Sequence, residues 1–180
     1  KMRDDISTDE ILRAGADVLP FRSNIPEISK FTLDVVDPEY YDRALHFRDE
    51  DDDVDGHSLV AVTNYGQGSS REHAALAPRF LGLRFAIAKS YARIHWQNLA
   101  NFGVIPLEFK PNGAYQGIDQ GDILRITNAR EQLQNAADDF QVENVTKGRT
   151  FTTKHTLSDR QVNMILHGGL IHVMEQKLSD

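Results

Sequence analysis

The stretch SLVAVTNYGQGSSREHAALAPRF, residues 58–80, decides the fold. Its first six residues form a short Val-rich apolar run, which is typical of a buried strand. The two glycines of NYGQG then predict a turn, because glycine accepts backbone angles that other residues avoid. SSREHAALAPRF predicts a helix, with Ser69 as its N-cap and Glu72 as the capping-box partner three residues later. A strand that leads through a glycine turn into a helix indicates an α/β unit.

The residues that follow repeat this order. RFAIA, residues 84–88, predicts a second core strand. Residues 91–102 carry apolar side chains at helical spacing and stop at Gly103, where a glycine is expected after a helix. Residues 104–109 predict a third strand. Strands that alternate with helices predict a parallel arrangement.

Shorter elements are predicted on both sides of this unit. Before it, the sequence predicts a helical turn at 9–13, a strand at 31–36 and a helix at 39–47. After it come strands at 122–126, 140–145 and 149–153, then a helix that opens at Ser158, breaks at Gly168-Gly169 and continues to about Leu178. No repeat or linker divides residues 1–180, so we expect one three-layer α/β domain.

The composition is that of an ordinary globular protein, with 40% hydrophobic and 26% charged residues among 180. The net charge of −7 and the lack of a long basic stripe weigh against nucleic-acid binding. No apolar run approaches the roughly 18 residues of a membrane span. The polar, acidic N-terminus resembles neither a signal nor a transit peptide. Because the chain has no cysteine, it has no disulfide and no thiolate ligand for zinc or an iron–sulfur cluster, and we expect a cytoplasmic location.

The glycine turn predicts a site for a small anion. The first N–H groups of a helix are unpaired and its dipole is positive there, so an anion is favoured. Arg71 in a first turn opposes that dipole, and a guanidinium aimed at a carboxylate would justify it. A plain helix-opening turn is the alternative. Arg71 stands where a dinucleotide fingerprint needs its third glycine, and no Gly-Lys-Ser/Thr loop is present, so nucleotide binding is not predicted.

A metal site in this chain is not predicted. Asp51, Asp53 and Asp55 begin a calcium-loop pattern, but its twelfth position is Val62, where a glutamate is required. The histidines show no ligand spacing. Trp96 and Phe102 are expected in the core.

Several blocks together resemble the aconitase family. NYGQGSSREHAALAPRFLG, followed by IAKSYARIHWQNLANFGVIPLEF, is similar to the active-site loop of that family and the α/β unit after it. DDISTDEI, VLPFRSNI and ENVTKGRTF resemble three further blocks, so the resemblance covers nearly the whole chain in order. It implies the swivelling β/β/α domain that forms the C-terminal part of aconitases.

The resemblance also implies a function and a site. Such enzymes interconvert citrate and isocitrate through cis-aconitate, with a [4Fe–4S] cluster held by other domains or a large subunit, so this chain alone is expected to be inactive. Ser69 would be the catalytic base, while Ser70 and Arg71 would bind a substrate carboxylate and Arg22 the carboxylate farthest from the reacting carbons. Asp9 and His73 are candidates for supporting the loop. Glu10 replaces a histidine that many relatives have, which leaves no counterpart for that histidine's role.

Other functions remain open from the sequence. The second hypothesis is a small subunit of a sister enzyme in the same superfamily, homoaconitase or isopropylmalate isomerase. Arg22 favours a tricarboxylate over a substrate with an alkyl arm. An RNA-binding module is a third hypothesis, against which the acidic charge counts. The start at Lys1, close to a family block, favours a fragment of a longer chain over a natural small subunit.

Overall fold

The computed structural model describes residues 1–111, 114–135 and 139–179. Six strands form one mixed sheet in the order β1-β2-β3-β6-β5-β4. The strands are β1 (His57–Val60), β2 (Leu83–Ala88), β3 (Ile105–Phe109), β4 (Leu124–Arg125), β5 (Phe140–Asn144) and β6 (Arg149–Lys154). The helices are α1 (Thr8–Ile11), α2 (Ile25–Ser29), α3 (Tyr40–Asp49), α4 (His73–Phe80), α5 (Arg93–Asn101), α6 (Ala129–Gln134), α7 (Asp159–Leu166) and α8 (Leu170–Ser179), with short 3-10 turns at Leu19–Phe21 and Ala114–Gly117.

The sheet has a parallel half and an antiparallel half. β1, β2 and β3 run parallel, with α4 and α5 as the two crossovers. β6 pairs antiparallel with β3, β5 with β6, and β4 with β5. The parallel order predicted for residues 58–109 is therefore confirmed, and so is the three-layer α/β class. Parallel strands are buried on both faces, which is why they read as continuous apolar runs in the sequence.

The core lies on both faces of the sheet. On β2, Ala86 and Ala88 join one hydrophobic cluster, whereas Phe85 and Ile87 join another, as expected when side chains alternate across a strand. A smaller third cluster of Leu12, Val18, Ile28 and Ala77 joins the N-terminal segment and α2 to α4. This third cluster holds the N-terminal segment against α4, the helix that follows the glycine turn.

Two helix boundaries follow the predicted chemistry. Gly103 has a φ of +76° directly after the C-cap of α5, the left-handed conformation in which glycine ends helices. Ser158 caps α7 and forms a capping box with Gln161. The predicted break at Gly168-Gly169 separates α7 from α8. These signals are local, so the sequence was sufficient to locate them.

The strand predicted at residues 31–36 is wrong. Only Thr32 makes a bridge, to Leu12, and the following residues form turns. Leu33 has a φ of +56°, and Val36 N–H donates to its carbonyl at 2.9 Å. A left-handed residue bends the chain away from a strand path. Among the described residues, no helix is both long enough and apolar enough to cross a bilayer.

Candidate active site

The glycine turn after β1 is held by the N-terminal segment of the chain. Gly66 N–H donates to the Ile6 carbonyl at 2.8 Å, and Thr8 N–H donates to the Gln67 carbonyl at 2.8 Å. Gly66 and Gly68 have φ values of +82° and +99°. Only glycine adopts such angles without strain. The turn therefore presents residues 68–72, which we call the serine–arginine loop, at the carboxyl end of a parallel strand.

The serine–arginine loop continues to Glu72, whereas the sequence predicted a helix directly after Ser69. The capping box between Ser69 and Glu72 is wrong: α4 begins at His73, Glu72 occupies the N-cap, and no side chain caps this helix. Arg71 N–H instead donates to the Ser69 carbonyl at 2.7 Å, which closes a tight turn before the helix. Residues 66–67 pair with residues 6–8 just before the loop, and the Arg71 side chain bonds to the same segment, so tertiary contacts override the local capping preference.

Arg71 is anchored on one side of its guanidinium. Its Nη1 donates to Asp9 Oδ1 at 2.7 Å, to the Thr8 carbonyl at 3.3 Å and to the Leu12 carbonyl. The Arg71 side chain is only 17% exposed, whereas Asp9 is 63% exposed. Nε and Nη2 have no protein acceptor among the described residues. The guanidinium is thus fixed in place while its second edge is free for a carboxylate.

The two serines of the loop are exposed beside a set of free backbone donors. In the described part of the chain, no acceptor meets the N–H groups of Gly68, Ser69, Ser70, Glu72 and His73. Consecutive N–H groups that point outward form a concave site for anions. The predicted anion site is consistent with this geometry, although the donors belong to the loop more than to the helix.

A hydrogen bond from His73 ties the backbone of Arg22 to the start of α4, next to the loop. The ring Nε2 of His73 donates to the Arg22 carbonyl at 2.9 Å, which joins the first residue of α4 to the segment before α2. The Arg22 side chain is exposed and has no ion-pair partner among the described residues. The structure therefore brings the backbone of Arg22 next to α4, and its guanidinium remains free.

Glu10 has a structural role. It completes a capping box on α1 with Ser7, whose backbone N–H donates to Glu10 Oε2 at 2.9 Å, and it pairs with Arg3. Bonds from Ser7 and the nearby Arg3 lower the pKa of Glu10. This residue stabilises the start of the helix whose carbonyls anchor Arg71.

Sequence reasoning missed a buried aromatic layer beneath the turn. Tyr65, Tyr91 and His95 pack together, with ring centroids of Tyr65 and His95 5.0 Å apart in an edge-to-face arrangement. Burial lowers the pKa of His95 to about 4 and raises the pKa of Tyr65. Tyr65 is 26 and 30 residues away from Tyr91 and His95 in the chain, and the fold brings its ring against both of theirs.

The chain does not fit an iron–sulfur cluster of its own. It contains no cysteine, and thiolates are the usual cluster ligands. Among the described residues, no group of three or more His, Asp or Glu side chains converges as a metal site would require. What the described residues do bring together at this site is two exposed serines and the arginine edge that has no protein acceptor.

Comparisons with known proteins identify the family of the chain. A sequence profile of the aconitase C-terminal domain matches residues 26–112. The 3-isopropylmalate dehydratase small subunit 2 of Archaeoglobus fulgidus is 33% identical over 98% of this chain and 92% of its own length. A putative mitochondrial aconitate hydratase of Aspergillus fumigatus is 34% identical over 98% of this chain. The crystal structure of 3-isopropylmalate dehydratase from Methanocaldococcus jannaschii superposes with a TM-score of 0.73 at 26% identity, covering 99% of this chain and 91% of that one.

These similarities define a C-terminal domain of the aconitase type. The chain belongs to the aconitase family, whose similar members are hydratases and dehydratases, and the fold class and family expected from the sequence are confirmed. The chain spans only 15% to 24% of the length of the first aconitate hydratase and homocitrate dehydratase relatives. Most of the length of those relatives lies outside the match, whereas the archaeal small subunit is matched over 92% of its length.

Proposed function

We propose that this chain is the substrate-gripping domain of an aconitase-type hydro-lyase, in which Ser69 is the catalytic base. The observation that carries the proposal is the serine–arginine loop: exposed serines, free backbone donors and an anchored arginine lie together at the end of a parallel strand. A hydro-lyase needs a base to remove a proton next to a carboxylate, and it needs cations to hold that carboxylate.

The loop supplies a reason for a serine to act as a base. A serine hydroxyl is too weak an acid to ionise at neutral pH without help. The N–H groups without an acceptor at residues 68–70, 72 and 73, together with Arg71 two residues along the chain, are the donors that stabilise the negative charge of its alkoxide in this proposal. The alkoxide takes the proton from the substrate carbon, and the electron pair of the broken C–H bond forms the new double bond as hydroxide leaves from the neighbouring carbon.

The arginines have separate tasks. The free edge of Arg71 and the Ser70 hydroxyl bind the carboxylate beside the reacting carbon. Arg22 binds a more distant carboxylate, since its exposed guanidinium is unpaired among the described residues and its backbone is tied to α4 through His73. Asp9 supports the site by holding Arg71 Nη1.

A cluster-bearing partner completes the enzyme. Because this chain has no cysteine, a [4Fe–4S] cluster would belong to other domains or to a large subunit. When bound there, such a cluster acts as a Lewis acid for the substrate hydroxyl. The one domain at residues 1–180 works either as part of a longer chain or as a small subunit.

The test combines the full chain with cluster-bearing domains and follows cis-aconitate by its ultraviolet absorbance. We expect activity only in the combination. Ser69→Ala should lower kcat by about 10²–10⁴-fold, the usual contribution of a positioned base. Ser70→Ala is the matched control on the same loop and should raise KM more than it lowers kcat. Strong activity of the chain alone, or an active Ser69→Ala enzyme, would contradict the proposal.

A second candidate function is that of an isopropylmalate isomerase, whose substrate would replace citrate. It is favoured by the match to an archaeal small subunit over 92% of that protein. Arg22 favours a tricarboxylate such as citrate, because an alkyl arm gives a guanidinium nothing to bind. Arg22→Leu should lower kcat/KM for cis-aconitate about 10–100-fold, the loss of one hydrogen bond to a charged group. Arg22→Lys is the control that keeps the charge. A wild-type preference for isopropylmalate would decide for the second candidate.

A further inference from the structure

A buried histidine lies directly beneath the turn that carries the serine–arginine loop. His95, in the first turn of α5, is 1% exposed. A Cβ placed on Gly66 would lie under 3.0 Å from the Cβ, Cγ and Cδ2 atoms of His95. The imidazole is therefore in contact with the backbone of the turn, three residues before Ser69, and leaves no space for a side chain there.

Stability does not explain why this position holds a histidine. Neither ring nitrogen of His95 has a hydrogen-bond partner among the described residues, and the same is true of the buried Tyr65 hydroxyl. Burying polar atoms without partners disfavours folding, so an apolar residue would be the more stable choice. A buried polar group without a partner needs an explanation, and a role in function is one of the recognised explanations.

The turn is fixed on its other sides as well. Tyr65 N–H donates to the Ser90 carbonyl at 3.0 Å, and Ala92 N–H donates to the Tyr65 carbonyl at 2.9 Å, so the turn is joined to the segment that opens α5. Gly66 N–H is joined to Ile6. Between these two attachments, the His95 ring is the surface on which Gly66 rests.

We propose that His95 is a positioning residue for Ser69, acting through Gly66. This inference rests on the proposed role of Ser69 as the base. The ring determines the path of Gly66, and the rigid turn carries that position to the serine–arginine loop. His95 touches neither substrate nor reacting atoms. Small displacements of a reacting group reduce rates strongly, since a shift of about 1 Å can lower activity 10²-fold.

The test compares His95→Ala and His95→Gln with Leu99→Ala. Leu99 lies one turn further along α5 and is fully buried. The three heavy atoms nearest to a Cβ on Gly66 all belong to His95 and none to Leu99. Two readouts are needed: backbone amide NMR shifts of residues 66–71 in the full chain, and kcat and KM in the enzyme assembled with its cluster-bearing partner. Leu99→Ala controls for lost packing alone.

We expect His95→Ala to move the amide signals of the turn and lower kcat about 10–100-fold, with a smaller change in KM. His95→Gln, which keeps a neutral polar group of similar reach, should recover part of kcat and serves if the alanine variant fails to fold. Leu99→Ala should lower the unfolding temperature but leave the amide shifts and kcat near wild type. Equal effects of His95→Ala and Leu99→Ala on kcat and on the amides would overturn the inference.

The two readouts separate this inference from the proposed function. If Ser69→Ala abolishes activity while both His95 variants leave the amides and kcat unchanged, His95 has no positioning role and the function of Ser69 stands. If the assembled wild type has no hydro-lyase activity but the amides respond to His95 alone, the proposed function is wrong, and with it the role of His95 in catalysis.

Discussion

Replacing Gly66 by alanine should both destabilise the protein and displace the serine–arginine loop. Two terms contribute to the destabilisation. The φ of +82° is strained for any residue with a Cβ, at about 1–2 kcal/mol. The new methyl group also overlaps the His95 ring, and overpacking of a filled core typically adds about 1–3 kcal/mol. The sum, about 2–5 kcal/mol, is a large share of the roughly 5–15 kcal/mol that stabilises a typical domain.

Gly121→Ala provides a matched control. Its φ of +91° is close to that of Gly66, but apart from Gly121 and its two chain neighbours no heavy atom of the described structure lies within 4 Å of the added Cβ. This variant should show the backbone term alone, about 1–2 kcal/mol. For a chain of this size, 1 kcal/mol shifts Tm by roughly 2–4 °C, so thermal unfolding resolves the difference. Equal Tm values for the two variants would refute the overlap with His95.

A double variant tests the contact directly. His95→Ala removes Cγ and Cδ2, two of the three atoms that the new methyl group would meet, and leaves Cβ. The Gly66→Ala/His95→Ala protein should therefore be more stable than the sum of the single changes predicts, by about 1 kcal/mol or more. Activity need not return with stability, because the loop has lost the surface on which it rests. Simple additivity of the two changes would contradict this reasoning.

Two further predictions concern charge. Arg71→Lys should raise KM by about 10-fold or more, because lysine cannot hold the Thr8 and Leu12 carbonyls while it offers a second edge to a carboxylate; steady-state kinetics with an unchanged KM would contradict this. His57 and His95 both have a folded pKa of about 4, lowered by burial from 6.5. The unfolded chain therefore binds more protons between pH 4 and 6.5, and stability is full above pH 6.5 and falls as the pH drops towards 4, by about 3 kcal/mol for each histidine. Urea unfolding across this range measures the loss of stability. Because His57→Gln removes one of the two histidines, this variant should lose about half as much stability as the wild type does through its histidines. An unchanged pH dependence in that variant would refute the prediction.

The sequence by itself determined the parallel α/β unit, the end of α5, the start of α7 and the family. Apolar runs, the glycine after α5 and the Ser158 cap are local signals, each set by a few neighbouring residues. The serine–arginine motif also located the candidate site, because a contiguous block carries most of it. Local patterns failed where distant segments compete: Ser69 has a good capping sequence, yet pairing with residues 6–8 delays the helix to His73.

Tertiary structure alone decided how the site is held together. The anchoring of Arg71 on the carbonyls of Thr8 and Leu12, and the bond from His73 to Arg22, join residues 51 to 63 positions apart in the chain. The contact of His95 with Gly66 is equally invisible in the sequence, because a histidine on a helix gives no sign of what it packs against. Such contacts depend on the packing of whole elements, and the free energy that fixes them is shared over the entire core.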